Sequence, residues 1–244
     1  MATPSLSLVG IGPGDPSLMT LAAVQAIQNA TLVAYPVARP DCDGMAVKIA
    51  ESWITHEKKV QPLVFPMVEE VEPRQEAWKL AGEKLVSLVG EGEQVAFLCQ
   101  GDVSLFASAS YVLLYIKKNY PEFPVKLIPG VTSIAAAAAA GAWPLALQND
   151  QLLVLPAPDD PKTLETLLDA AAYSRRVLAL LKLGRRWVWI RPLLERKELL
   201  NDALFAQRVG FPDQQVIKAS EAFETETHYF SMLLIRQCWP DVLP

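Results

Sequence analysis

The sequence predicts an α/β protein built as two domains, and three observations carry that expectation. Short apolar runs of about four to eight residues alternate with segments of helical spacing through the first half of the chain, the pattern of a mostly parallel sheet covered by helices. The chain has 244 residues, and domains of about 150 residues are the usual scale, so one large or two smaller domains are expected. Beyond Gln151 the pattern of strands and helices changes, after a stretch punctuated by Gly141 and Pro144. The boundary is placed near residues 145–150, giving an N-terminal α/β domain over 1–146 and a smaller C-terminal α/β domain over 147–244.

The elements follow in order. Ser5–Gly10 (SLSLVG) reads as a buried strand leading through a Gly/Pro loop into a helix over 18–29, with Leu18, Leu21, Ala22, Val24 and Ile27 on one face. Residues 31–37 and 60–65 read as the second and third strands. Helical spacing over 74–89 stops at Gly90. Gln94–Cys99 is a strand, 104–120 a helix and 124–128 a strand, followed by a short alanine-rich helix that begins after Ser133. In the second domain, Gln151–Pro156, 176–182, 203–209 and 228–236 read as strands and 162–173 as a helix.

Composition removes several function classes. With 51% hydrophobic and 20% charged residues, the chain buries a core without disulfide or metal staples and is not disordered. A net charge of -5 provides no global field for DNA or RNA. Cys42, Cys99 and Cys238 are odd in number and form no CxxC, and His56 and His228 are the only histidines. Neither a disulfide framework nor a zinc site is expected, and no metal. No signal-peptide pattern opens the chain. The weakly polar run over 131–147 is mostly alanine and falls short of the roughly 20 apolar residues of a membrane span. A soluble, cytoplasmic chain is expected.

Four segments carry the chemistry. Gly10-Ile-Gly-Pro-Gly-Asp-Pro16 follows the first strand, and alternate glycines there let a ligand approach the backbone. No Gly-Lys-Ser/Thr follows, so it is not a P-loop. Asp15 occupies the third glycine position of the dinucleotide fingerprint, and Pro13 removes an amide that could face pyrophosphate. The plainer reading is a tight turn with Asp15 as N-cap and Pro16 at N1. Cys99-Gln-Gly-Asp-Val-Ser-Leu-Phe106 also leaves a strand end, where ligands dock in open α/β sheets. Its Asp102 either accepts from ribose hydroxyls or caps the next helix. Ile128-Pro-Gly-Val-Thr-Ser133 precedes the alanine helix; Thr132 and Ser133 cap it, or hold a neutral polar ligand such as an adenine edge. Leu180-Leu-Lys-Leu-Gly-Arg-Arg186 places three cations after a strand end, as a basic surface loop or an anion site.

The order and spacing of GxGPGDP at the start, a GD turn near residue 100 and PGVTS near 130 resemble the tetrapyrrole methylase family. The resemblance runs from about Leu6 to Ile235. It implies two α/β domains with a cofactor cleft between them, S-adenosylmethionine as methyl donor, and a homodimer. Within the family, Ala34-Tyr-Pro-Val-Ala-Arg39, Phe97-Leu-Cys-Gln-Gly-Asp102 and Lys182-Leu-Gly-Arg185 look most like the group that methylates C20 of precorrin-2, or of cobalt-precorrin-2, in cobalamin biosynthesis. Carried over by position, the resemblance implies cofactor contacts from Pro13, Gln100, Gly101, Asp102, Leu105, Thr132 and Ser133. From the second domain it implies Leu181 and Lys182.

Two departures matter. Many members read Gly-Asp-Pro where this chain has Gly101-Asp102-Val103. Relatives acting on uroporphyrinogen carry an aspartate after the second strand where this chain reads Tyr35-Pro36; that argues against this subgroup and against a carboxylate base there.

Methyl transfer to an electron-rich carbon needs no nucleophilic side chain or metal, since alignment and exclusion of water supply most of the rate, so no catalytic residue is assigned. A substrate with eight carboxylates needs cations, and Arg39, Arg185 and Arg186 are the candidates, with Lys182 and Arg191 behind them. The aromatic residues Trp143, Trp187 and Trp189 read as core or interface, His228 as locally hydrogen-bonded, and Glu69 to Glu72 as a solvated run. The alternatives are methylation of another macrocycle carbon, or of a non-tetrapyrrole substrate as in diphthine synthase and ribosomal RNA ribose methylases. From another class, a non-catalytic nucleotide- or tetrapyrrole-binding module stands. The acidic balance disfavours the RNA version.

Overall fold

The structure is a computed structural model that describes residues 5–239. The chain divides into two compact units, residues 1–132 and 133–244. In the first, β1 (Ser5–Gly10), β2 (Leu32–Val37), β3 (Lys59–Val64), β4 (Gln94–Cys99) and β5 (Val125–Ile128) form an all-parallel sheet in the order β3-β2-β4-β1-β5. Helices α1 (Leu21–Asn29), α2 (Met45–Ile49), α3 (Val71–Gly90) and α4 (Ser108–Asn119) make the crossovers. The apolar runs of the central strands are buried on both faces, as a helix-covered parallel sheet requires. Leu6, Leu8 and Phe97 pack with Leu85 of α3 and Val112 and Ile116 of α4, all at 1% exposure or less. Two prolines sit where a missing amide does least harm. Pro62 lies in the edge strand β3, and Pro36 falls beyond Ala34, the last β2 residue paired with β4.

Two helices start later than the sequence predicts. Asp15 does cap, accepting from the Ser17 amide at 2.8 Å, but what it caps is a single tight turn over Pro16–Leu18. The chain then extends through Thr20, whose hydroxyl accepts from the Ala23 amide and starts α1 afresh. Likewise α4 begins at Ser108 instead of 104, because Asp102 takes the Ser104 amide and Phe106 turns left-handed at φ +52°.

The second unit opens with α5 (Ser133–Ala140) and carries β6 (Gln151–Pro156), α6 (Pro161–Ser174), β7 (Arg176–Leu181), α7 (Trp187–Arg196), β8 (Ala203–Gln207), β9 (Gln215–Lys218) and β10 (Ser231–Ile235). Its sheet runs β6-β7-β10-β8-β9, with only β6 and β7 parallel. Residues 208–209 and 228–230, expected within strands, lie outside them. Leu164, Leu168, Leu180, Trp187, Leu193 and Leu233 form the core. Trp187 is fully buried, against Phe205 at 5.1 Å, and donates to the Phe223 carbonyl at 2.6 Å, the core role expected of it.

The division falls at Thr132 and Ser133, where the sequence placed it after Ala146. The reason is packing. A Cβ on Gly141 would lie 2.5 Å from the Leu204 side chain, so the end of α5 presses on β8. The buried Arg236 after β10 donates to the carbonyls of Pro144 and Leu145 and pairs with the equally buried Asp150 at 2.5 Å. The connecting segment thus belongs to the second sheet.

Candidate functional site: three turns at the strand ends

In the first sheet β1 lies between β4 and β5, so the chain leaves β1 in one direction and later crosses over it. Ligands of open parallel sheets dock outside the carboxyl ends of strands at such a switch point. The three glycine-bearing turns sit there. Gly12 and Gly101 form a two-bond bridge, with N···O distances of 2.7 and 3.2 Å. The Gln100 side chain donates to the Pro13 carbonyl at 2.8 Å. One oxygen of Asp102 accepts from the Gly130 amide at 2.8 Å, and the other from the Ser104 amide at 2.9 Å and the Ser104 hydroxyl at 2.5 Å. Burial would raise the Asp102 pKa, but the hydrogen bonds from Ser104, Gly130 and Val103 outweigh it and hold the carboxyl below its ordinary value.

Glycine is required where these backbones meet. A Cβ on Gly130 would lie 2.1 Å from the Gly101 carbonyl oxygen, and one on Gly10 would lie 2.6 Å from the Gly130 nitrogen. Gly101 differs. It has φ +75°, and a Cβ there would meet nothing within 4 Å. Its outer side is open to a ligand. Pro13 is buried, Leu105 and Thr132 are half-buried, and Ser133 is the first residue of α5. The exposed, left-handed Phe106 also belongs to the second turn, and no local signal in the sequence marks that conformation in a phenylalanine.

A cavity of about 310 Å³ does not bear on this site. Its lining includes Ser5, Gln94 and Lys126, at the amino-terminal ends of their strands, opposite the turns. Cys99 ends β4 beside the second turn, but burial pushes its thiol up to about 12, so it stays protonated at neutral pH. Among the described residues no cluster of metal-ligating side chains occurs, and no helix is long and apolar enough to cross a membrane.

In the second unit, Leu181 ends β7 and Lys182 follows with φ +60°, its ammonium 5.7 Å from the Tyr229 ring centre. The cations expected to read carboxylates fare differently. Arg186 is engaged by Asp159 and by the Lys182 carbonyl. Arg191 pairs with Glu224 at 3.0 Å. Arg185 is exposed in the second unit, and Arg39 is exposed after β2 in the first. The exposed His228 accepts from the Phe230 amide at 3.0 Å, the local bond expected of it.

The family model for Tetrapyrrole (Corrin/Porphyrin) Methylases matches residues 5–222. This chain belongs to the tetrapyrrole methylase family. Among relatives of this methylase, the Cobalamin biosynthesis protein CobIJ of Mycobacterium tuberculosis is 32% identical over 237 residues. That match covers 93% of the methylase but only 45% of CobIJ, so the chain spans about half of that relative's length. Cobalt-precorrin-2 C(20)-methyltransferase of Salmonella typhimurium is 28% identical over 236 residues, 96% of this chain and 97% of the relative. The crystal structure of the methyltransferase CobJ superposes with a TM-score of 0.67 at 22% identity, over 95% of this methylase and 93% of that chain. That likeness is one of fold.

Proposed function

We propose that this methylase uses S-adenosylmethionine to methylate C20 of precorrin-2 or cobalt-precorrin-2 in cobalamin biosynthesis. The observation that carries the cofactor half is the convergence of three glycine turns at the switch point, with the open face of Gly101 among them. None of the three turns contains lysine or arginine, and the first two each contain an aspartate. Such a site suits a neutral or cationic nucleoside and repels a phosphate. The C20 assignment is supported by the near full-length likeness to the Salmonella enzyme of that name and by the Tyr35-Pro36 departure.

The bound cofactor supplies an electrophilic methyl group on a sulfonium. Gln100, Gly101 and Asp102 present backbone that is fixed before binding, Pro13 and Leu105 contribute apolar surface, and Thr132 and Ser133 offer hydroxyls and amides. Leu181 and Lys182 are assigned by resemblance alone. The protein's share of the rate is orientation and exclusion of water, worth about 7–11 kcal/mol in well-aligned systems. No side chain has to act as nucleophile, in keeping with the protonated state of Cys99.

The test is incubation of purified protein with methyl-labelled cofactor and a panel of precorrins, followed by mass spectrometry and carbon NMR. One labelled methyl group at C20 of precorrin-2 is expected. Transfer to another ring carbon alone would replace the C20 reading, and binding without transfer would favour the non-catalytic module. A homodimer is also proposed; a monomer mass by light scattering at micromolar concentration would refute it.

A further inference from the structure

Resting on that reading of the substrate, we propose that the Tyr35 hydroxyl is a specificity contact of this methylase, donating a hydrogen bond to a side-chain carboxylate of the tetrapyrrole, with Gly44 setting the place of its ring. The argument begins with register. β2 stays paired with β3 to its last residue, Val37 beside Val64, but its pairing with β4 stops at Ala34 and Phe97. β4 runs on beside β1 as far as Cys99 and Gly10. Past Ala34 the ladder between β2 and β4 therefore ends, and Pro36 has no amide with which to continue it. Tyr35 is the first residue beyond the last paired position. It stands toward the carboxyl end of β2, the neighbour of the strand that carries the Gly101 turn, and ligands of open sheets dock at such ends.

Two observations mark Tyr35 as a held group with a polar tip to spare. Gly44 precedes α2 with φ −77°, a conformation open to any residue, so its backbone does not call for glycine. The Tyr35 ring does. A Cβ on Gly44 would lie 2.2 Å from Cδ2 and 2.5 Å from Cε2 of that ring. Tyr35 is half-buried against this glycine, yet its hydroxyl makes no hydrogen bond among the described residues. A phenol can donate without adding a charge. Arg39, two residues past the end of β2, is exposed on the same connection. A neutral donor and a cation so placed suit a substrate rich in carboxylates.

The experiment uses the full chain saturated with S-adenosylhomocysteine, and anaerobic calorimetry with precorrin-2 as the probe. Tyr35→Phe keeps the ring against Gly44 and removes only the hydroxyl. Precorrin-2 should bind about tenfold more weakly, the loss expected for one hydrogen bond to a charged group. S-adenosylhomocysteine affinity, titrated separately, and the urea midpoint should match the parent. Gly44→Ala is the second variant, which keeps the hydroxyl but pushes the ring from its place. It should weaken precorrin-2 selectively, and adding Tyr35→Phe to it should cost little more. A Tyr35→Phe protein that binds precorrin-2 like the parent overturns the proposal, because the tyrosine is then only packing. So does an equal loss for both ligands, which would put the hydroxyl at the cofactor. Losses that multiply in the double variant overturn the link between Gly44 and the hydroxyl. If Tyr35→Phe does not fold, Gly44→Ala decides: a selective loss of precorrin-2 supports the contact, and parent-like binding of both ligands overturns it. A parent chain that binds no precorrin-2 defeats the proposed substrate and this inference with it. Parent-like binding by Tyr35→Phe defeats this inference alone.

Discussion

Replacing Gly130 by alanine should be far more damaging than one methyl group suggests. The added Cβ would sit 2.1 Å from the Gly101 carbonyl oxygen and 2.7 Å from the Gly10 carbonyl carbon. Ordinary contacts of this type need about 3.5 Å, so one backbone must retreat by more than about 1 Å. Every atom struck is main chain, and no rotamer change relieves the clash. Overpacking costs about 1–3 kcal/mol where side chains can adjust, so a loss at or above 3 kcal/mol is expected, a large part of a typical 5–15 kcal/mol. Gly130 does not have positive φ, so the loss reports packing and not backbone preference. Two controls use the same chemical change. Gly90→Ala, at the end of α3 with nothing within 4 Å, should be neutral or stabilising by up to about 1 kcal/mol. Gly101→Ala also has space but keeps φ +75°, so it should cost about 1–2 kcal/mol, leave the fold intact and weaken S-adenosylhomocysteine binding. Urea unfolding by circular dichroism, with hydrogen exchange of peptides spanning β4 and β5, measures all three. A Gly130→Ala protein within 0.5 kcal/mol (about the scatter of a neutral surface change) of the parent would refute the close packing of the three turns.

Two further predictions follow from the charged groups of the second unit. Asp150→Asn leaves the buried Arg236 without its carboxylate and should cost about 3–5 kcal/mol. The Arg236 hydrogen bond holds the Asp150 carboxyl below its ordinary 3.8, so this stability is complete above that pH and is lost as pH falls through the lower folded value. The parent should therefore lose stability between pH 5 and pH 2 more steeply than the variant; parallel pH profiles in urea unfolding would count against the pair. Arg185→Gln should weaken tetrapyrrole binding at least about tenfold for each contact made. Arg186→Gln should do less, because Asp159 already engages that guanidinium; equal KM values for both variants and the parent would move carboxylate reading elsewhere, with Arg39 next.

Some of this was readable without coordinates because it depends on neighbours in the chain. Buried parallel strands are continuous apolar runs, and β1, β4 and β6 have the bounds expected of them. The N-cap at Asp15 with Pro16 behind it is a hydrogen bond from the Ser17 amide, two residues on, and local spacing reveals it. The three glycine turns were visible as motifs, each after a strand. Elements whose local preferences conflict with their final state were not readable. Helix α7 (WVWIRPLLER) contains β-favouring Trp, Val and Ile as well as Pro192, and is helical because Trp187, Ile190, Leu193 and Leu194 enter one core. Strand β9 is a four-residue edge without alternation, held by its pairing with β8.

The sequence alone determined which residues stand at the strand ends, since period, turn chemistry and capping act over a few residues at a time. Tertiary structure alone decided how those ends meet. That Gly10, Gly101 and Gly130 leave no room for one another, apart from the open side of Gly101, depends on strands brought together from about 30 to 120 positions apart in the chain, the separations that parallel crossovers bridge. The same holds for Asp102, which sequence leaves as either cap or ligand contact. Only the placement of β5 beside β1 brings Gly130 within reach of its carboxylate. A side chain has one local conformational preference, but its partners are set by which strands the hydrophobic core has made neighbours.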